Sequence, residues 1–331
     1  MQAGQSATAY HRRGPIFRWA LLVSNGKPRA AMKRFDVLGL GCAAVDDVLY
    51  VPSFPRADEK VRVARALRRC GGLTGAAMVT AARMGATCAF AGCLGTDESS
   101  QYVADYFVAE GIDVSHAPRL AEARVVTSTI VVGQDIGSRN IFYLSDGLIG
   151  AHEHLPPDEV IRNTRVLFID QYGMKGNLRA ARIAHSVGAS VVADFEDGSD
   201  PGFQEVLGLV DHLILSVDFA RQTARAQDPA QTAQALWQPG RAAVIITDGP
   251  NGCWSLAAGG ESAVRHHPAF LVPAKDTTGC GDVFHGAYAA CLARGDCLED
   301  RIRFASAAAA LRAKEGEIPR RMAVEQFLAN S

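Results

Sequence analysis

The stretch DTTGCGDVFHG, Asp276–Gly286, joins a run of turn-forming residues to the start of an apolar segment. From Asp282 onward the chain reads DVFHGAYAACLARG, apolar almost all round and closed by Gly295, the pattern of a helix buried on every side. Its first turn carries Gly279, Cys280 and Gly281. Small residues there leave consecutive backbone N–H groups uncovered, and with the positive end of the helix dipole these make an anion hole. Asp282, at the same end, has two readings. A carboxylate favours a helix start by about 0.3–1 kcal/mol. Beside an anion hole it also suits a proton acceptor for a hydroxyl attacking a phosphoryl group.

Working outward, buried strands alternate with helices. FDVLGLG (Phe35–Gly41) and CAFAGCLG (Cys88–Gly95) read as strands, LTGAAMVTAARMG and SSQYVADYFVAEG as helices capped by Gly85 and Gly111. RVLFID, SVVADF, HLILS and AAVIITDG continue the series of strands. Two extended pieces break it, at about Asp47–Arg65, where Pro52 and Pro55 forbid a long helix, and at Val125–Asp146, which reads as a hairpin. The expected fold class is α/β: a three-layer, doubly wound, mostly parallel sheet with helices on both faces. The two extended pieces form a small antiparallel β-lid over the carboxyl ends of the strands, where ligands bind in such sheets. Residues 1–33 are expected to be a disordered extension, or the result of an upstream start with Met32 as the natural beginning, and residues 34–331 one domain.

Composition excludes several classes. With 331 residues, 48% hydrophobic, 21% charged and a net charge of −1, the chain lacks the basic excess of a nucleic-acid or anionic-membrane binder. No apolar run approaches a membrane span. Eight cysteines without C-x-x-C spacing read as reduced thiols, and the expected location is the cytoplasm. The histidine pairs, His152 with His154 and His266 with His267, have no companion ligands at zinc spacing. GLGCAA (Gly39–Ala44) matches a dinucleotide fingerprint, but extended chain follows where a helix is required, so a close-packed turn is the better reading.

DTTGCGDVFHG resembles the D-T-x-G-x-G-D signature of the ribokinase (PfkB) carbohydrate kinases, and CGGLTGAAMVTAARMGATCAFAGCLGTD is similar to that family's N-terminal signature. The resemblance runs from Phe35 to the C-terminus. It implies transfer of the ATP γ-phosphate to a sugar hydroxyl on a ribokinase-like fold, with Mg²⁺ and, in some members, K⁺. It places Asp282 as catalytic base and Gly279, Cys280 and Gly281 as the anion hole. It gives Asp46, Gly71 and Gly72 to the sugar, Thr247, Gly249 and Gly252 to ATP, and Arg139 to a lid arginine reaching the phosphates. Asp194 falls near phosphate-bound water or Mg²⁺, and Ser216 opens the segment that replaces the family's N-x-x-E. Asp276, Thr278 and Gly316 fall on a monovalent-cation loop. A homodimer through the lid is the partner expected by analogy.

Leu73, Thr74, Gly75 and Ala76 follow the glycine pair where many members carry asparagines, which puts ribose or adenosine specificity in doubt. The region Arg265–Pro319, RHHPAFLVPAKDTTGCGDVFHGAYA…IRFASAAAALRAKEGEIP, looks most like the sulfofructose kinase branch, which phosphorylates C1 of a ketose bearing a C6 sulfonate. Lys60 and Arg139 are the cations expected to meet that anion, and fructose is the plainer substrate. A catalytically silent sugar or nucleotide sensor on the same fold is the competing class; it requires a defect in the hole or base, and both look whole.

Overall fold

The structure, a computed structural model, describes residues 33–135, 138–258 and 263–331. The segment expected to be an extension lies, for residues 1–32, outside the described residues. In chain order the elements are β1 (Phe35–Leu40), β2 (Ala44–Val51), β3 (Arg65–Gly71), α1 (Leu73–Arg83), β4 (Cys88–Phe90), α2 (Glu98–Ala109), β5 (Val126–Gly133) and β6 (Ser138–Leu144). There follow α3 (Asp158–Arg162), β7 (Thr164–Asp170), α4 (Met174–Ser186), β8 (Ser190–Asp194), α5 (Phe203–Leu207), β9 (His212–Ser216), α6 (Val217–Ala224) and α7 (Pro229–Ala235). The chain ends with β10 (Ala243–Thr247), β11 (Cys253–Ala257), β12 (Arg265–His267), α8 (Cys280–Arg294), α9 (Leu298–Glu315) and α10 (Arg321–Ala329).

The large sheet has the order β12-β11-β10-β9-β8-β7-β1-β4, parallel from β10 to β4, with β11 and β12 antiparallel at one edge. Its strands are apolar on both faces because both are covered. Val37, Val166, Val192, Ile214 and Ile245 face one core with α1, α8 and α9. Their neighbours Leu38, Leu167, Val191, Leu213 and Val244 face a second core with α4 to α7. That period-two division produces the three layers.

The lid sheet has the order β3-β2-β5-β6, with β2 and β5 parallel and the outer pairs antiparallel. Its first pair of strands differs from the expected Asp47–Arg65. Residues 52–64, which hold both prolines, form no strand, and the pairing strand is β3. Its sequence RALRRCG lacks an apolar alternation, so composition did not disclose it.

The glycines of GLGCAA are used for packing. A Cβ on Gly39 would lie 2.6 Å from Met78 Cγ of α1, and one on Gly41 2.3 Å from Asp170 Oδ2. Asp170, fully buried at the end of β7, accepts from Cys42 N–H at 2.7 Å, Thr74 Oγ1–H at 2.7 Å and Tyr172 N–H at 2.8 Å. One carboxylate thus ties together the exit of β1, the start of α1 and the turn after β7. Asp170→Ala leaves those donors buried without an acceptor and is expected to cost about 3 kcal/mol of folding stability. Chemical denaturation measures it, and an unchanged midpoint would contradict the role.

Candidate active site

The C-terminal ends of the central strands carry a polar row: Asp170 pairs in register with Asp194, and Ser216 with Thr247. Above this row sits the first turn of α8. Asp276 Oδ1 accepts from Thr278 N–H at 2.9 Å, which folds the approach into a tight turn. Gly279 then takes the left-handed conformation, φ 74°, as the residue before the helix. A Cβ on Gly281 would meet nothing within 4 Å, so the backbone there faces open space. The first N–H groups of any helix lack partners within it; here Cys280 N–H makes a long contact of 3.4 Å with the Thr277 carbonyl, and Gly281 lies at the open cavity.

Two cavities meet at this turn. One, of about 390 Å³, is lined by Thr247, Gly249, Gly252, Thr277, Cys280 and Gly281 and walled by apolar groups including Pro250, Phe270, Phe284 and Ala310. The other, of about 620 Å³, is lined by Asp46, Gly71, Gly72, Gly279 and Asp282, with Asp276, Thr278 and Gly316 at its side. Residues from distant parts of the chain are therefore gathered as two sets, with the α8 start between them.

The glycine pair has physical reasons. A Cβ on Gly71 would lie 2.2 Å from Asp46 Oδ2, and one on Gly72, at φ 85°, would lie 2.8 Å from the Ala43 backbone. Asp46 also accepts from Ser128 Oγ–H. Burial raises its proton affinity, against the opposing effects of Ser128 and Arg69. Its neighbour Asp47 turns to the other face of β2 and pairs with Arg68 at 2.8 Å, which separates the two acids.

Asp282 is pushed well above the ordinary carboxylate range, first by burial, then by the negative charges of Asp194, Glu196 and Asp46, with Arg312 opposing. Asp276 goes the other way. Burial raises it, but the Thr278 N–H and the Arg312 and Arg69 guanidinium groups outweigh that and bring it to about 2. The Cys280 thiol is pushed up to about 11, chiefly by burial, so it carries no thiolate character at neutral pH.

Other expected residues lie elsewhere. Lys60 is exposed in the connection 52–64 and lines neither cavity, because the strand expected to carry it inward does not form. Ser216 caps α6, accepting from Phe219 N–H at 3.4 Å, and stands beside Thr247 without lining the apolar cavity. Asp194 is buried, with Oδ2 3.2 Å from His285 Nδ1 rather than in either cavity lining. Arg139 does reach across from the lid: its Nη1 donates to Thr277 Oγ1 at 3.1 Å.

Three site residues escaped the sequence reading. His285 is buried beneath the turn, Nδ1 2.8 Å from Gly281 O and Nε2 3.0 Å from Ile214 O. Arg69 and Arg312 converge on Asp276, at 3.0 and 3.2 Å. The signal for Arg312 was its helical line with Ala305 and Ala308, a buried face on which a lone arginine stands out. His285 stood in the quoted stretch itself, three residues after Asp282 and hence on the same helix face.

An apolar cavity and a polar cavity that meet at one helix start form an arrangement suited to transfer of a group between two ligands. The pattern described as pfkB family carbohydrate kinase matches residues 34–318, and the chain belongs to that family; it is a sugar kinase. The ribokinase of Haemophilus influenzae is 28% identical over 309 residues, covering 87% of this chain and 97% of its own. Fructokinase-1 of Oryza sativa is 27% identical over 275 residues, covering 75% and 84%. The ribokinase structure from Thermotoga maritima, 24% identical, superposes with a TM-score of 0.77 over 89% of this chain and all of its own, a likeness of fold.

Asp282→Asn is expected to keep nucleotide binding while turnover falls by about 100-fold or more. In the unaltered enzyme a base must be deprotonated to act, so kcat/KM falls as pH drops through its pKa. With that pKa raised, the falling limb lies above the ordinary carboxylate value of about 4. ADP release across pH checks both statements. Near-normal turnover in the variant, or a limb at or below that value, would contradict them.

Proposed function

We propose that the protein transfers the γ-phosphate of ATP, delivered with Mg²⁺, directly to a hydroxyl of a sugar held under the lid. The observation that carries this reading is the shared helix start: Cys280 and Gly281 line the apolar cavity while Gly279 and Asp282 line the polar one. ATP would lie in the former with its base against Phe270 and Ala310, and the sugar in the latter on Asp46. The main-chain N–H groups of Gly279–Gly281 would hold the charge that develops on the transferred phosphoryl group, while Asp282 takes the proton of the attacking hydroxyl. Arg139, already on Thr277, would cap the phosphates as the lid closes. Among the described residues no group of three or more acids, histidines or cysteines is arranged to hold a metal. That fits Mg²⁺ arriving on the nucleotide phosphates with its waters and neutralising their charge there. Asp194 would act on this region through His285 rather than as a direct ligand.

For the acceptor, the favoured class is a ketose bearing an anionic group, such as 6-deoxy-6-sulfofructose, phosphorylated at C1. Arg65 and Lys275 line the polar cavity, and among the described residues neither has a carboxylate partner. Arg69, on the same strand as Arg65, already pairs with Asp276. Arg65 and Lys275 therefore take the part first expected of Lys60. The wall after the glycine pair offers no amide: Thr74 is turned to Asp170, and Ala76 faces the cavity. In an ADP-release screen of ketoses and aldoses, anionic ketoses should be preferred. Arg65→Gln should raise their KM about tenfold, the loss of one charge-assisted contact, and leave neutral sugars unaffected. Preference for a neutral sugar, unchanged by Arg65→Gln, would remove this class while leaving the kinase intact.

A homodimer through the lid is part of the same proposal. Strand β6 is an edge whose Ile141, Phe142, Tyr143 and Leu144 are 47–67% exposed, an apolar patch that a second lid would cover. Phe142→Asp should convert a dimer to a monomer in sedimentation velocity; a monomeric unaltered protein would exclude the assembly.

A further inference from the structure

Oxygens around Asp276 already have donors, two of them guanidinium groups. Asp276 Oδ2 accepts from Arg69 Nη1 at 3.0 Å and from Arg312 Nη2 at 3.2 Å, and the Asp276 carbonyl faces Arg312 Nη1 at 3.4 Å. Oδ1 is taken by Thr278 N–H. On the facing segment, the Ala313 carbonyl accepts from Lys275 N–H at 2.8 Å and Asp276 N–H at 3.2 Å. The Arg312 side chain is only 6% exposed and its guanidinium has no other acid partner among the described residues. A buried guanidinium is costly to desolvate unless it is paired, so this pair and the two segments it joins are locked together. A monovalent cation placed between Asp276, Thr278 and Gly316 would share one carboxylate with two guanidinium groups, at a distance where like charges repel. The residues expected to hold K⁺ therefore do not fit it.

We infer that Arg312 is the resident cation of this loop, a positioning residue that replaces a monovalent metal ion and makes the enzyme independent of K⁺. The guanidinium holds Asp276, the turn that Asp276 closes with Thr278 sets Gly279, and Gly279 sets the first amides of α8. The inference rests on the kinase reading only for its consequence in catalysis; ion binding itself can be measured without turnover.

The test compares the unaltered chain in KCl, NaCl and tetramethylammonium chloride at equal ionic strength, reading the melting temperature and ADP affinity. An ion that binds the folded state raises its melting temperature. The expected result is the same melting temperature and ADP affinity in all three salts. A rise confined to K⁺, or ADP affinity about fivefold or more tighter in K⁺, would overturn the inference. Arg312→Gln removes the charge and keeps hydrogen-bonding capacity; it should acquire K⁺-dependent ADP affinity and be restored in part by guanidinium ion. A folded Arg312→Gln chain that binds ADP as the unaltered chain does in every salt would also overturn it, because the loop would then need no cation. If Arg312→Gln does not fold, the salt series on the unaltered chain still decides. Absence of ADP release with every sugar in every salt would instead count against the kinase reading, with the binding measurements unaffected.

Discussion

The site depends on how closely α8 is pressed against α1. A Cβ on Gly286 would lie 2.2 Å from the Ala77 carbonyl oxygen and 2.7 Å from Thr80 Cβ, so the two helices meet backbone to backbone. Such an approach is possible only where the side chains are small, and α1 supplies Ala76, Ala77 and Ala81 around the contact. Between them the helices bury Met78, Val283, Ala287 and Tyr288 in one core. Because the helix cannot shift without overlapping α1, its first turn stands at a set height above the sheet. The first amides of α8 and Asp282 are consequently held in place before any ligand arrives, which is the condition for electrostatic stabilisation without reorganisation.

Charge is distributed around that turn so that two aspartates six residues apart behave oppositely. Asp282 is buried near the carboxylates of Asp194, Glu196 and Asp46 and is inclined to hold a proton; Asp276 faces two guanidinium groups and is inclined to release one. The first property suits a base that receives a proton late in the reaction, and the second suits a permanent anchor. Beneath the turn, the His285 ring lies between the Gly281 carbonyl and that of Ile214 in the middle of β9, and stands beside Asp194. Burial drives Asp194 well up and His285 down, so both are inclined toward their neutral forms.

Much of this was legible in the sequence where the determinants are local. The buried strands announced themselves as apolar runs and α8 as an apolar segment opened by glycines, while the pair Gly71–Gly72 stood out only through the family resemblance. What was not legible depends on contacts across the chain. Strand β3 is polar and gains its identity only by pairing with β2. Arg69 and Arg312 lie 207 and 36 residues from Asp276, and only the folded chain brings them to one carboxylate. Lys60 lies within the expected strand Asp47–Arg65, but residues 52–64, which hold both prolines, form no strand and leave it exposed. The glycines of GLGCAA illustrate the converse: a pattern associated with pyrophosphate here serves a methionine and a buried aspartate.

The most direct test of the central claim is a crystal structure of the complex with ADP, Mg²⁺ and aluminium fluoride, a mimic of the transferred phosphoryl group. The expected density places the mimic within about 3 Å of the amide nitrogens at Cys280 and Gly281, with ADP in the apolar cavity and the Asp282 carboxylate on the opposite side. A mimic bound away from the start of α8, or an Asp282 side chain turned from it into the core, would contradict the assignment of that helix start as the place of transfer.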